Sequence, residues 1–262
     1  MQPSEAEVLD FLTRLFHSGE GYSAINTARC ALSSFLSDKL QVTIGNYSSV
    51  KRFLKGVFEL RPSLPRYDHI WDVDIVIEFL KNFYPYDGMP LSILTMKLVM
   101  LLALSTAQRV QTLHSLNIKD VVFTEDLVTI PITDILKQTS IKNRKFTLYL
   151  HAYKSDTAIC VVEALKVYID RTRKIRGKED YLLISFLKPY KRVGKQTISR
   201  WLKKVMYEAG IDTEVFKSHS TRSASVSKAK SKFVPADFIL KVAGWSNNHC
   251  YKKFYDNSIR YN

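Results

Sequence analysis

Residues 90–116, PLSILTMKLVMLLALSTAQRVQTLHSL, decide the fold. Apolar residues cover nearly every side of a helix drawn through them, so the segment reads as the central core helix of a domain. Its longest strongly apolar run, Leu98 to Leu104, is far short of the roughly 20 residues a membrane span needs. Directly after that run stands Arg109, which taken alone reads as a surface ion-pair partner.

Upstream, DVDIVIEFLKNF (72–83) is a second helical segment, preceded by RPSLPRYD (61–68), whose prolines resist helix and read as a linker. Three helical patterns come before it. SEAEVLDFLTRLFHSG (4–19) has a serine cap and a stripe of Val8, Phe11, Leu12, Leu15 and Phe16; YSAINTARCALSSFLSDKL (22–40) and SSVKRFLKGVFEL (48–60) keep the same period. Their polar faces carry Arg29 and Lys51. Downstream, VTIPIT (128–133) and KFTLYL (145–150) alternate with period two around DILKQTSIKNR, a strand pair with a lysine-bearing turn. Helical patterns resume at 157–175 and at TISRWLKKVMYEAG (197–210), where Ile198, Leu202, Val205, Met206 and Ala209 face inward and Gly210 is the stop. The expectation is a mainly α chain with a small antiparallel β-sheet: a helical domain over 1–62, a linker over 63–68 and a larger domain over 69–262.

Composition narrows the function. With 262 residues, 46% hydrophobic, 9 Gly and 8 Pro, the chain is globular and long enough for two modest cores. Its acidic N-terminus is unlike a signal peptide, and three scattered cysteines suggest reduced thiols inside a cell. The net charge is +14, unevenly spread: residues 188–232 hold twelve Lys/Arg against three Asp/Glu. Such a field attracts a polyanion, and a membrane role has no segment to support it.

The chemistry lies in scattered residues. Arg109 is followed much later by His219 and Arg222 in SHSTRSAS (218–225), then by Trp245 and Tyr255 in AGWSNNHCYKKFYDN (243–257). Two guanidiniums, an imidazole, an indole donor and a phenol suit the holding of a phosphodiester and its attack by a side chain. Arginine donates two parallel bonds to a phosphate and stays charged. A phenol can form a covalent phosphotyrosine, and Lys137, in the hairpin turn beside Lys142, Arg144 and Lys145, is the best placed proton donor. No metal-ligand cluster or cofactor is called for; His249 and Cys250 lack a second ligand pair. Singly, each residue has an ordinary structural explanation, and their joint order is what carries weight.

STAQRVQTLHSL resembles the first arginine box of the tyrosine recombinases, the phage-integrase superfamily; HSTRSA resembles the His-x-x-Arg box, and AGW with a later tyrosine the third box. PRYDHIWDVDIVIEFL, HSTRSAS and AGWSNNHCYKKFY are also similar to recombinases of eukaryotic DIRS, Ngaro and Crypton transposable elements. The resemblance spans almost the whole chain. It implies a helical core-binding domain and a catalytic domain forming a C-shaped clamp on double-stranded DNA, and strand cleavage and rejoining through a 3′-phosphotyrosine without metal or ATP, within a synaptic tetramer. It gives Arg109 and Arg222 as the phosphate clamp, Lys137 as general acid, His219 and Trp245 as supporting donors, and Tyr255 as nucleophile. GKQTISRWLKKV resembles the DNA-reaching helix, with Lys195, Gln196, Arg200 and Lys203 as contacts; Arg29 and Lys51 would touch DNA from the first domain. Mobile-element integration or excision follows, inside the cell and in the nucleus of a eukaryotic host.

The pattern departs at three places. Thr112 stands where the family usually has an acidic residue, with Asp120 as a substitute; Phe254 occupies the usual tyrosine position, which leaves Tyr251 as a rival to Tyr255; and Lys137 rests on position alone. Two other functions stay open: a domesticated, non-cleaving DNA-binding protein of the same fold, and a type IB topoisomerase-like relaxing enzyme.

Overall fold

The computed structural model describes residues 4–36, 44–64, 66–134, 146–245 and 258–260. The chain divides into two compact units, residues 1–66 and 67–262.

In the first unit, α1 (Glu5–His17), α2 (Tyr22–Leu36) and α3 (Ser48–Leu60) enclose Val8, Leu12, Ile25, Ile44, Val50 and Val57. Ser4 and Glu7 form a reciprocal capping box that starts α1, satisfying donors the first turn leaves open. Phe11, expected in the apolar stripe, is 43% exposed; the core uses the Val8–Leu12 line instead. Arg29, half-buried against Asn26, and exposed Lys51 line one cleft of about 400 Å³ with Lys55, Tyr22 and Phe58.

The second unit is built around α5 (Leu91–Thr106). Leu94, Leu98 to Ala103 and even Lys97 are almost wholly buried, as a helix apolar on all sides requires. β1 (His69–Trp71) and α4 (Val73–Lys81) precede it, with Asp72 capping α4 through Asp74 N–H. The segment read as one helix through Leu116 instead breaks after Thr106. Ala107 is left-handed at φ 50°, and α6 (Val110–Ser115) restarts with Arg109 at its N-cap. Neither glycine nor proline marks that break; the Ala107 carbonyl there accepts a hydrogen bond from a side chain 115 residues further along the chain.

β2 (Val122–Phe123), β3 (Leu127–Ile132) and β4 (Phe146–His151) form an antiparallel sheet, with Ile130 opposite Leu148 on its buried side. α7 (Val161–Thr172) packs on α5 and β4, and α8 (Lys195–Glu208) on α5 and α6. The expected inner residues Ile198, Leu202, Val205 and Met206 are buried, joined by Trp201. α9 (Ser220–Ser231) lies on α5, α10 (Ala236–Ala243) follows, and β5 (Ser258–Arg260) pairs in parallel with β1. This second, two-stranded sheet joins the ends of the unit and adds a parallel pair to the small antiparallel sheet expected. Strands of three residues at opposite ends of 190 residues leave no periodicity to read.

Candidate active site

Small side chains let α9 approach α5 closely: Ser220, Thr221, Ser223, Ala224 and Ser227 are all buried. Ser225 Oγ donates to the Leu104 carbonyl, riveting the two helices. One turn earlier, Arg222 enters the gap. Its side chain is 1% exposed, Nη1 donates to the Ala107 carbonyl at 2.5 Å, and Nη2 donates to the Ala243 carbonyl at 3.0 Å. The guanidinium lies 4.0 Å over the Trp245 ring. Only a planar fork satisfies two carbonyls and a ring face together.

Arg222 therefore ties the turn before Arg109 to the end of α10. The neighbouring Gln108, 2% exposed, reinforces the tie by donating to the Val242 carbonyl at 2.7 Å. Gly244, left-handed at φ 69°, ends α10 and turns the chain so that Trp245 folds back, its backbone N–H donating to the Leu240 carbonyl. Ala107, Val226, Ile239 and Ala243 pack beneath. The cluster thus gathers three segments that are 21 to 134 residues from one another along the chain.

Arg109 is half-buried at the N-cap of α6, where its carbonyl receives the Thr112 and Leu113 N–H groups. His219 is exposed at the N-cap of α9, and its carbonyl receives the Arg222 N–H. The arrangement presents an imidazole at a helix N-terminus, a setting that favours an anion. Thr112, in the acidic residue's usual place, is buried and its carbonyl accepts from Ser115 Oγ; Asp120 closes a single 3-10 turn beyond α6. Lys137, Lys142, Arg144, Lys145, His249, Cys250, Tyr251, Phe254 and Tyr255 lie outside the described residues.

On α8, Lys195, Gln196 and Arg200 are exposed, with Arg200 3.2 Å from Thr197 Oγ1 and the half-buried Lys203 3.3 Å from Glu214. A group that sequence reading missed lies at the foot of α6. Arg192 Nη2 sits 2.8 Å from His114 Nδ1 and donates to the His114 carbonyl at 2.9 Å, while its guanidinium covers Tyr181 at 3.2 Å. Burial first, then Arg192 and Lys195, hold the His114 imidazole below its ordinary value, with Asp134 opposing. Nothing in the local spacing of Arg192 signals this, because His114 is 78 residues away. Among the described residues no group of three or more His, Cys, Asp or Glu is arranged to hold a metal ion, and no helix is long and apolar enough to cross a membrane.

The model of the phage integrase family matches residues 77–259. Among solved structures, XerH site-specific recombinase bound to palindromic difH substrate, in a post-cleavage complex, superposes with a TM-score of 0.63 at 15% identity, over 94% of this chain and 66% of that one. The Tn1549 transposon integrase in complex with transposon right end DNA gives 0.59 at 14% identity, over 93% and 78%. A lambda integrase tetramer bound to a Holliday junction gives 0.55 at 15%, over 95% and 66%. The chain thus spans just under two thirds of the XerH and lambda integrase chains, and at these identities the likeness is one of fold: mainly helical, with the small antiparallel sheet of tyrosine-recombinase catalytic domains. No curated protein matches the sequence.

Proposed function

The chain belongs to the phage integrase family, and on that premise we propose that it is a site-specific DNA recombinase that cuts and rejoins strands through a 3′-phosphotyrosine. The observation that carries the reading is Arg222: one buried guanidinium holds the Arg109 turn, the His219 helix and Trp245 in a single cluster.

In the proposed step, the Tyr255 phenol oxygen bonds to phosphorus and the bond to the 5′ oxygen breaks. The phenol gives up its proton to solvent as it attacks, and Lys137 gives one to the leaving oxygen. Arg109, His219 and the N-terminus of α9 face the charge that builds on the nonbridging oxygens. Arg222 lies behind Trp245 and takes part by exchanging its carbonyl and ring partners for phosphate as DNA seats. The phosphotyrosine conserves bond energy, so a 5′ hydroxyl from another strand can reverse the step.

Residues 1–66 serve in this reading as a core-binding domain, contacting duplex DNA through the Arg29–Lys51 cleft, and α8 contributes Lys195, Gln196, Arg200 and Lys203. Several protomers, four by analogy with the lambda integrase assembly, would act together on DNA. The wider role proposed is integration or excision of a mobile element of the DIRS, Ngaro or Crypton kind, inside the cell and in the nucleus of a eukaryotic host. Incubation with a nicked substrate that traps the cleaved state tests the chemistry: a protein band shifted by attached DNA supports it, and its absence with well-bound substrate overturns it.

A further inference from the structure

We infer that Trp71 is a positioning residue for the cleavage step, the centre of a short segment that couples the strand following the tyrosine to the helix carrying His219 and Arg222; this rests on the recombinase reading above. The segment 67–72 runs along the approach to α9 and grips it at successive points. The Tyr67 hydroxyl receives the Lys217 N–H at 3.3 Å, and the Tyr67 and His69 rings meet Phe216 at centroid distances of 5.4 and 5.8 Å. The Trp71 indole N–H donates to Ser220 Oγ at 2.9 Å, a buried bond between side chains 4% and 1% exposed. Asp72, while capping α4, receives the Lys228 ammonium at 2.8 Å, and Asp74 receives the same ammonium at 2.6 Å.

The opposite edge of the segment holds the other half of the chemistry. His69, Ile70 and Trp71 pair with Ser258, Ile259 and Arg260, so β5 begins three residues after Tyr255 and is anchored to the residues that hold α9. Ser220 is the neighbour of His219 and lies two positions before Arg222. The Trp71–Ser220 bond thus joins the backbone ladder that fixes β5 to the start of the helix whose residues face the phosphate in this reading. A buried indole N–H usually finds a hydrogen-bond partner, and one aimed at a buried hydroxyl fixes an orientation that ring packing alone leaves free. Misplacement of a reacting group by about 1 Å costs up to 100-fold in rate, which is what such a link prevents.

The test uses the full chain with three changes: Trp71→Phe, which keeps the ring and deletes the donor; Ser220→Ala, which deletes the acceptor; and the double change. Single-turnover covalent linkage to a nicked substrate is measured at saturating DNA, beside the Kd for DNA and the midpoint of thermal unfolding. Each single change is expected to slow linkage by roughly 10- to 100-fold with Kd within about twofold of the parent, and the double change to be no slower than the worse single one, because both remove one bond. Linkage at the parent rate in either folded single variant overturns the inference, as does a double variant slowed by the product of the two. If Trp71→Phe does not fold, Ser220→Ala decides. Failure of the parent to form any adduct refutes the recombinase reading itself, which the variants then do not address.

Discussion

The Arg222 guanidinium donates to the carbonyl of Ala107, 115 residues earlier in the chain, at 2.5 Å, at the left-handed residue that breaks α5 from α6. The bond sets the direction in which Arg109 leaves the core.

Replacement by lysine keeps the charge but reaches one carbonyl, not two, and cannot lie flat on Trp245. Arg222→Lys is expected to cost about 1–3 kcal/mol in denaturant unfolding, since a buried carbonyl loses its donor. It should also slow covalent linkage to DNA by roughly 10²–10³, the loss seen when one donor to a transition-state oxyanion is removed. A variant equal to the parent in both measurements would contradict the role given to Arg222.

Lys97 offers a test of the core. It is 1% exposed, with Nζ 2.5 Å from the Phe83 carbonyl and over the Tyr86 ring, and burial lowers its value from 10.5 to about 8. The unfolded chain therefore keeps this proton up to pH 10.5 while the folded chain sheds it near 8, so Lys97 makes stability rise with pH across that window. Lys97→Met should remove that rise. Below pH 8 it should stabilise the fold by about 1 kcal/mol or more, as when buried ionic groups give way to apolar ones of similar volume. Denaturant midpoints of parent and variant at several pH values check both signs.

The His114–Arg192 pair makes the opposite end of the pH range informative. With the folded imidazole held below 6.5, the unfolded chain takes up this proton first on acidification, so stability is full above 6.5 and declines below it. His114→Asn should flatten the decline between pH 6.5 and the lowered folded value. An unchanged acid limb would show that the folded imidazole is not held below its ordinary value by burial and Arg192.

Lys195, exposed at the start of α8, is expected to contact phosphate. Lys195→Ala should weaken binding about equally for all sequences and make the slope of log K against log salt shallower by about 1. A change in sequence preference with the slope intact would mean that it reads a base instead.

Much of this was legible in the sequence, for physical reasons that differ from element to element. α5 announces itself because its apolar residues cover every side of the helix, so that twelve of its sixteen residues are buried, and α8 because its inner residues keep a 3.6 period. The hairpin strands alternate and are read as such. The break at Ala107 is invisible, since an alanine has no intrinsic preference for φ 50° and only a distant arginine enforces it. The site residues could be named by type and order, but the carbonyl and ring partners that Arg222 holds could not be read from them. Trp71, Ser220 and Lys228 carried no local signal at all, because their partners lie about 150 residues away.

The central claim is that Tyr255 becomes joined to DNA. Mass spectrometry of the peptide that remains attached to a trapped, nicked substrate tests it most directly. The expected result is a single adduct on Tyr255, abolished in Tyr255→Phe while DNA binding is retained. An adduct on Tyr251 would reassign the nucleophile, and the absence of any tyrosine-linked DNA under saturating binding would contradict the account.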